Sequence, residues 1–171
     1  MVSAVHIVTN RLAAKSVNDS RYTLTSQDIE SEMYKQAAMR KSNIVEPVDI
    51  LMAVARQEHG PAGFILREVV KSISDPVAQE NPIQYLKSKP RLPVNGTLNE
   101  NGDKPALGSE ATGVLMYAER VNGNRGKDKL ESIDILTALF EDPASLENIG
   151  FLQIKPQSVL EKIDLYLNPK K

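Results

Sequence analysis

Two pairs of acidic residues stand out because they share the same spacing. Glu46 and Asp49 are three residues apart, and so are Glu131 and Asp134, 85 residues further along the chain. At the start of a helix, such carboxylates can satisfy free backbone N–H groups and interact favourably with the helix dipole. On the walls of a groove, they could instead contact basic segments of a partner protein. The residue types alone leave both roles open.

The acids lie within a nine-residue stretch that occurs twice. Residues 46–54 read EPVDILMAV, and residues 131–139 read ESIDILTAL. A shorter echo joins Met33-Tyr34 to Met116-Tyr117, at an offset of 83 residues. Self-similarity of this kind indicates one structural unit used twice. The sequence therefore predicts an internal repeat with one acidic pair in each copy.

Residues suited to catalysis or metal binding are scarce. The chain has no cysteine, and its two histidines, His6 and His59, are far apart in the sequence, which makes a weak case for zinc. No Gly-x-Ser-x-Gly nucleophile motif is present. Residues 123–127 read GNRGK, which lacks both the glycine spacing and the following Ser or Thr of a phosphate-binding loop. We therefore expect no catalytic residue, no cofactor and no metal.

Composition is that of an ordinary globular protein. The 171 residues are 41% hydrophobic and 25% charged, with a net charge of −1. This balance gives no support for nucleic-acid binding, which usually needs a basic excess. No apolar run approaches the ~18 residues of a membrane span. The absence of cysteine fits a reducing compartment, and we expect a cytoplasmic protein.

Helical patterns dominate the elements that must position the acids. Ser26 is a candidate N-cap for a first helix whose inner face carries Ile29, Met33 and Ala37. Proline in the first turn predicts further helix starts near positions 47, 61, 76, 82, 143 and 156, and Ser109 is a candidate cap for another helix. For the helix of residues 61–71 we expect these side chains to be buried: Phe64, Ile65, Leu66, Val69 and Val70.

The fold class predicted is all-α, with two four-helix repeats packed around a pseudo-two-fold axis. We place the first repeat at residues 23–87 and the second at residues 107–168. Residues 88–106, rich in Pro, Gly and Asn, have the composition of a flexible linker, and residues 1–22 form an N-terminal extension. Such packing leaves a groove or flanking pockets between equivalent helices.

The repeated stretch, with the Gly60-Pro61 break and the helix after it, resembles the Clp N-terminal repeat. A double repeat of this type forms the N-terminal domain of AAA+ Clp and heat-shock unfoldases, and the Glu46-Pro47 pair looks most like the ClpB-type disaggregase branch. Family members commonly have His where Asp49 stands. In the branch that recognises phosphorylated arginine a Glu precedes that His, whereas Val48 and Ile133 occupy the matching positions. The departure argues against phosphoarginine recognition.

The resemblance implies a domain without catalysis that recruits unfolded or aggregated polypeptide, or an adaptor protein, to an AAA+ ATPase ring, often through a groove between the repeats. Glu46, Asp49, Glu131 and Asp134 are the candidate binding residues. One alternative is a free-standing Clp-N accessory protein that modulates a Clp chaperone or protease in trans. Another is an enzyme or small-molecule binder on a helical scaffold, against which the lack of paired catalytic residue types argues.

Overall fold

A computed structural model describes residues 23–89, 99 and 101–170. The N-terminal extension and most of the predicted linker therefore lie outside the described residues. The helices of the first repeat are α1 (Leu24–Met39), α2 (Pro47–Ala55), α3 (Pro61–Lys71), α4 (Pro76–Glu80) and α5 (Pro82–Ser88). Those of the second are α6 (Ser109–Asn124), α7 (Ser132–Glu141), α8 (Pro143–Ile149) and α9 (Pro156–Leu167), with a 3₁₀ turn at Gly150–Leu152. The prediction of an all-α fold is confirmed.

Helix α1 begins earlier than predicted. Its N-cap is Thr23, whose side chain accepts a hydrogen bond from the backbone N–H of Ser26. The prediction that Ser26 is the cap is wrong, because its hydroxyl instead donates to the carbonyl oxygen of Leu130 at 2.8 Å. The inner face is as expected, since Ile29, Met33 and Ala37 are fully buried. The first turn of α1 is thus tied directly to the second repeat.

Helices α2 and α7, which carry the repeated stretch, form the centre of the molecule. All nine residues of α2 are buried, and α7 is buried from Ser132 to Phe140. The two helices contact each other, and each also packs against the helix before it and the helix after it. Because both short helices are buried on all sides, they carry apolar side chains on every face.

The repeats share a single core. Helix α3 of the first repeat packs against α9 of the second, and α2 packs against α8. Asn148 of α8 accepts a hydrogen bond from the backbone N–H of Val48 at 3.1 Å, in a buried position. That N–H group lies in the first turn of α2, where backbone N–H groups have no acceptor within the helix. A side chain of one repeat therefore caps a helix of the other.

A short parallel strand pair, which sequence patterns did not predict, joins the repeats. Strand β1 (Ile44–Val45) pairs with β2 (Ala106–Leu107), so that Ile44 lies opposite Ala106. Gly108 follows β2 at a close approach, since a Cβ there would lie 2.6 Å from the carbonyl oxygen of Val45. Ala106, the last residue of the predicted linker, is thus part of this pair, while the repeat and linker boundaries themselves stay a prediction.

Proline and polar caps define most of the other helix starts as predicted. The prediction that Ser109 is a cap is wrong, because Gly108 has the extended backbone of the N-cap of α6 and Ser109 is the first residue of the helix. Helices α3 and α8 begin at Pro61 and Pro143. Asp75 caps α4 through its side chain, and Asn81 caps α5 in the same way. In the part of the chain that the structure describes, no helix is long and apolar enough to cross a membrane.

Candidate protein-binding site

The acids of the first repeat lie in a buried ionic cluster around Arg40, which follows the last residue of α1. The guanidinium donates to both carboxylate oxygens of Asp49, at 3.1 Å and 2.7 Å, and its Nη2 also lies 2.7 Å from Oε2 of Glu46. The side chain of Arg40 is only 6% exposed, and those of both acids are 1% exposed. Asp49 also accepts a hydrogen bond from the backbone N–H of Glu46 at 2.8 Å.

The second repeat has an equivalent cluster around Arg125, which follows α6. Arg125 donates to Asp134 through Nη1, and its Nη2 lies 2.7 Å from Oε2 of Glu131. Asp134 is fully buried and accepts a further hydrogen bond from Asn122 at 3.1 Å. Arg125 and Glu131 are more open, with side chains 19% and 37% exposed.

Both clusters perform the helix-terminal role that the sequence had left open. In each repeat the third residue of the core helix accepts from the backbone N–H of the N-cap, and the arginine neutralises its charge. Partner binding by Glu46, Asp49, Glu131 and Asp134 stays a prediction. Three of the four carboxylates are shielded from solvent in this structure, and only Glu131 offers its oxygens to a partner.

Sequence reasoning missed the two arginines, although a signal for them existed. Arg40 and Arg125 are separated by 85 residues, the same offset as the repeated acids. Burial opposes the charge on Arg40, but its hydrogen bonds to Asp49 and the attraction of both acids outweigh burial and raise the pKa of the guanidinium. The same balance, with hydrogen bonds to Asp134 and Glu131, raises the pKa of Arg125. Both arginines are therefore permanent cations.

An exposed apolar groove lies elsewhere, between α3 of the first repeat and α9 of the second. Its volume is about 600 Å³. Phe64, Leu165 and Tyr166 line it with side chains that are 60%, 53% and 54% exposed. The prediction that Phe64 is buried is therefore wrong; Ile65, its neighbour on the same helix, is buried as expected. Three large apolar side chains meeting in one concavity distinguish this surface from scattered exposed hydrophobics.

One acid and one base complete the lining of the groove. Glu68 lies one turn beyond Phe64 and Ile65 on α3, and Lys162 lies one turn before Leu165 and Tyr166 on α9. Glu68 is 3.1 Å from Lys71, in an ion pair whose side chains are 37% and 47% exposed. An exposed pair of this kind contributes only about 0–1 kcal/mol, so Glu68 can exchange its partner at little cost.

A second, polar depression lies between α1 and α2. It has a volume of about 370 Å³ and includes His59, which follows α2. Within it, Arg56 and Lys35 lie 3.1 Å and 3.7 Å from the carboxylate of Glu32. Its charges thus largely neutralise one another. Among the described residues, no group of three or more potential ligands is placed to hold a metal ion.

Comparison with solved structures finds several N-terminal domains of Clp and Hsp104 proteins. The Hsp104 N-terminal domain of Candida albicans has a TM-score of 0.64 at 16% identity, over 89% of this chain and 95% of that one. The ClpD N-terminal domain of Arabidopsis thaliana has a TM-score of 0.57 at 14% identity, over 86% and 98%. The ClpV1 N-terminal domain of E. coli has a TM-score of 0.53 at 17% identity, over 82% of each chain.

At the sequence level, neither a protein-family model nor a curated protein matches the chain. The likeness covers both repeats, as the resemblance of residues 46–54 and 131–139 predicted. The described part of this chain has the fold of a Clp/Hsp104 N-terminal domain.

Proposed function

We propose that this chain is a non-catalytic, protein-binding domain that recruits unfolded polypeptide to an AAA+ unfoldase or disaggregase ring. The groove between α3 and α9 is the observation that carries the proposal. It combines exposed aromatic and aliphatic side chains, a concave shape and a position between the two repeats. Apolar segments that a folded protein buries, and an unfolded protein exposes, are the occupants that such a surface favours.

The shape of the groove supports an inserted segment over a second copy of the chain. A two-fold symmetric contact places the same surface of each copy face to face. Here that would set one concavity against another and leave the space unfilled. The groove volume of about 600 Å³ is sufficient for several large side chains. Side chains projecting from a partner are therefore the better fit.

To test this proposal, the isotope-labelled domain is titrated with a permanently unfolded polypeptide such as reduced, carboxymethylated lactalbumin. Changes in the NMR chemical shifts of the backbone amides report the binding surface. We expect shifts concentrated in α3 around Phe64 and Ile65 and in α9 around Leu165 and Tyr166. The polar depression around His59 serves as an internal control and should not respond. Absence of shifts with any unfolded polypeptide would refute direct substrate binding and leave an adaptor protein as the partner.

Glu131 is the predicted acid that remains available for a partner. We propose that it contacts basic residues of a bound segment, since its side chain is 37% exposed and that of its partner Arg125 is 19% exposed. Glu131→Gln should weaken binding of a lysine-rich unfolded segment by about 1.5- to 5-fold, the range for an exposed charge pair. Glu161→Gln, on an exposed side chain of α9, is the matched control. Equal affinities for the two variants would remove Glu131 from the binding surface.

A further inference from the structure

The groove between α3 and α9 has a regular geometry that restricts what can occupy it. Pro61, Phe64, Ile65 and Glu68 follow one another at helical spacing on α3, so that they form one stripe about two turns long. Lys162, Leu165 and Tyr166 form a shorter stripe on α9, about one turn long. The helices pack against each other, and the two stripes are the walls of the groove.

The backbone of the walls offers few hydrogen bonds to an occupant. Apart from the first turn of α3 and the last turn of α9, the N–H and C=O groups of the two helices bond inside their own helices. An extended segment in the groove would bring its own backbone groups against apolar side chains and lose water without replacement. A helical segment satisfies these groups internally and presents only side chains. The groove therefore favours a helix over a strand.

Charge adds a second restriction. The acid of the groove is on the α3 wall and the base is on the α9 wall, so the two charges flank the apolar floor from opposite helices. A partner helix can carry a basic residue at one edge of its apolar face and an acidic residue at the other edge. In one orientation the basic residue faces Glu68 and the acidic residue faces Lys162. A partner with the reverse order meets like charges, which disfavours binding.

Resting on the proposed function, we propose that the groove binds a segment that folds into a two-turn amphipathic helix. Apolar side chains of this helix, spaced at i, i+3 or i+4, and i+7, enter between α3 and α9. A basic residue of the helix faces Glu68 and an acidic residue faces Lys162. Phe64, Leu165 and Tyr166 supply the contact area, and Glu68 and Lys162 select the direction of the bound helix.

Three peptides of identical composition test the inference, each about 16 residues long so that a helix can form. The first has the apolar residues at helical spacing with the charge order described above. The second has the charges exchanged, and the third has the same residues at the alternating spacing of a strand. Affinity is measured by fluorescence anisotropy, and helix formation by the change in circular dichroism at 222 nm.

We expect the first peptide to bind about 10-fold or more tighter than the third, which corresponds to the placement of one further apolar side chain. Its helical signal should increase on binding. Exchange of the charges should weaken binding by about 1.5- to 5-fold, with loss of that difference at high salt. The double variant Glu68→Lys, Lys162→Glu should reverse the preference between the first two peptides.

Different results would overturn the helical occupant, the role of the two charged residues and the proposed function. Equal binding of the first and third peptides, while unfolded lactalbumin still shifts the α3 and α9 amides, would overturn the helical occupant and leave the proposed function standing. Binding that ignores the charge order would overturn the role of Glu68 and Lys162. A dimer in sedimentation velocity that Leu165→Ser abolishes would identify a second copy as the occupant, against the inference. No binding by any peptide or unfolded polypeptide would refute the proposed function itself.

Discussion

Removal of Arg40 should destabilise the protein more than removal of Arg125. Arg40 is the cation of a cluster whose side chains are at most 6% exposed, and it faces two carboxylates. Arg40→Met leaves both charges buried without their partner. Breaking a buried pair in this way costs about 3–5 kcal/mol. In a protein of this size each kcal/mol lowers the melting temperature by about 2–4 °C, so the expected decrease is about 6–20 °C.

Arg125→Met is the matched control, since it removes the same residue type from the equivalent place in the second repeat. Asp134 keeps its hydrogen bonds from Asn122 and from the backbone N–H of Glu131. Glu131, 37% exposed, remains partly solvated. The expected loss is therefore about 1.5–3 kcal/mol, the range for a hydrogen bond to a charged group.

Urea unfolding followed by circular dichroism at 222 nm measures both variants on one scale. Arg40→Lys keeps the charge but not the two-pronged contact with Asp49, and we expect an intermediate loss. Addition of Glu46→Gln and Asp49→Asn to Arg40→Met should recover part of the stability, because it removes the uncompensated charges. Equal losses for Arg40→Met and Arg125→Met, or no recovery on neutralising the acids, would refute the account of a buried ionic cluster.

Three further predictions concern packing, capping and titration. Gly63→Ala should destabilise the protein by about 1–3 kcal/mol, because a Cβ there would lie 2.8 Å from two backbone carbonyl oxygens. Gly123→Ala, which has open space around the new Cβ, should stabilise the protein by about 0.4–1 kcal/mol. Thermal unfolding compares the two variants, and equal effects would contradict the packing argument. Asn148→Ala should cost about 1–3 kcal/mol in urea unfolding by leaving the buried N–H of Val48 without a partner, and a loss near zero would show that this cap is dispensable. Burial, with the nearby charge of Glu30, raises the pKa of Tyr34, so this tyrosine should ionise at higher pH than a free tyrosine. The fold stabilises the neutral form, and this contribution to stability is complete below pH 10 and is lost at higher pH. A phenolate absorbance step at the pH of a free tyrosine, which Tyr34→Phe removes, would contradict this prediction.

The helix pattern of the chain could be predicted because its signals are local. Proline at the first position fixed the starts of α3, α4, α5, α8 and α9, and spacing on α1 identified its buried face. The internal repeat also identified α2 and α7 as equivalent helices. Local pattern could not distinguish Thr23 from Ser26 as the cap of α1, because that choice depends on the carbonyl oxygen of Leu130 in the other repeat.

The candidate site was less predictable because it depends on contacts between distant segments. Phe64 has the helical spacing of a core residue, and its exposure follows from the position of α9 beside α3. The acids were identified, but their burial follows from arginines at the ends of the preceding helices. The pairing of Ile44 with Ala106 likewise joins residues more than 60 positions apart. None of these contacts has a signature within a short window of sequence.

The affinity of unfolded polypeptide for the Phe64→Ser variant is the most direct test of the central claim, that the groove between α3 and α9 binds apolar segments. Phe64 is exposed in the free protein, so its replacement should leave stability nearly unchanged. Loss of most of its apolar contact area should weaken binding by about 1–2 kcal/mol, or about 5- to 30-fold. Met39→Ser, at an equally exposed apolar residue outside the groove, should bind like the wild type. Wild-type affinity in the Phe64→Ser variant, or an equal loss in both variants, would contradict the claim.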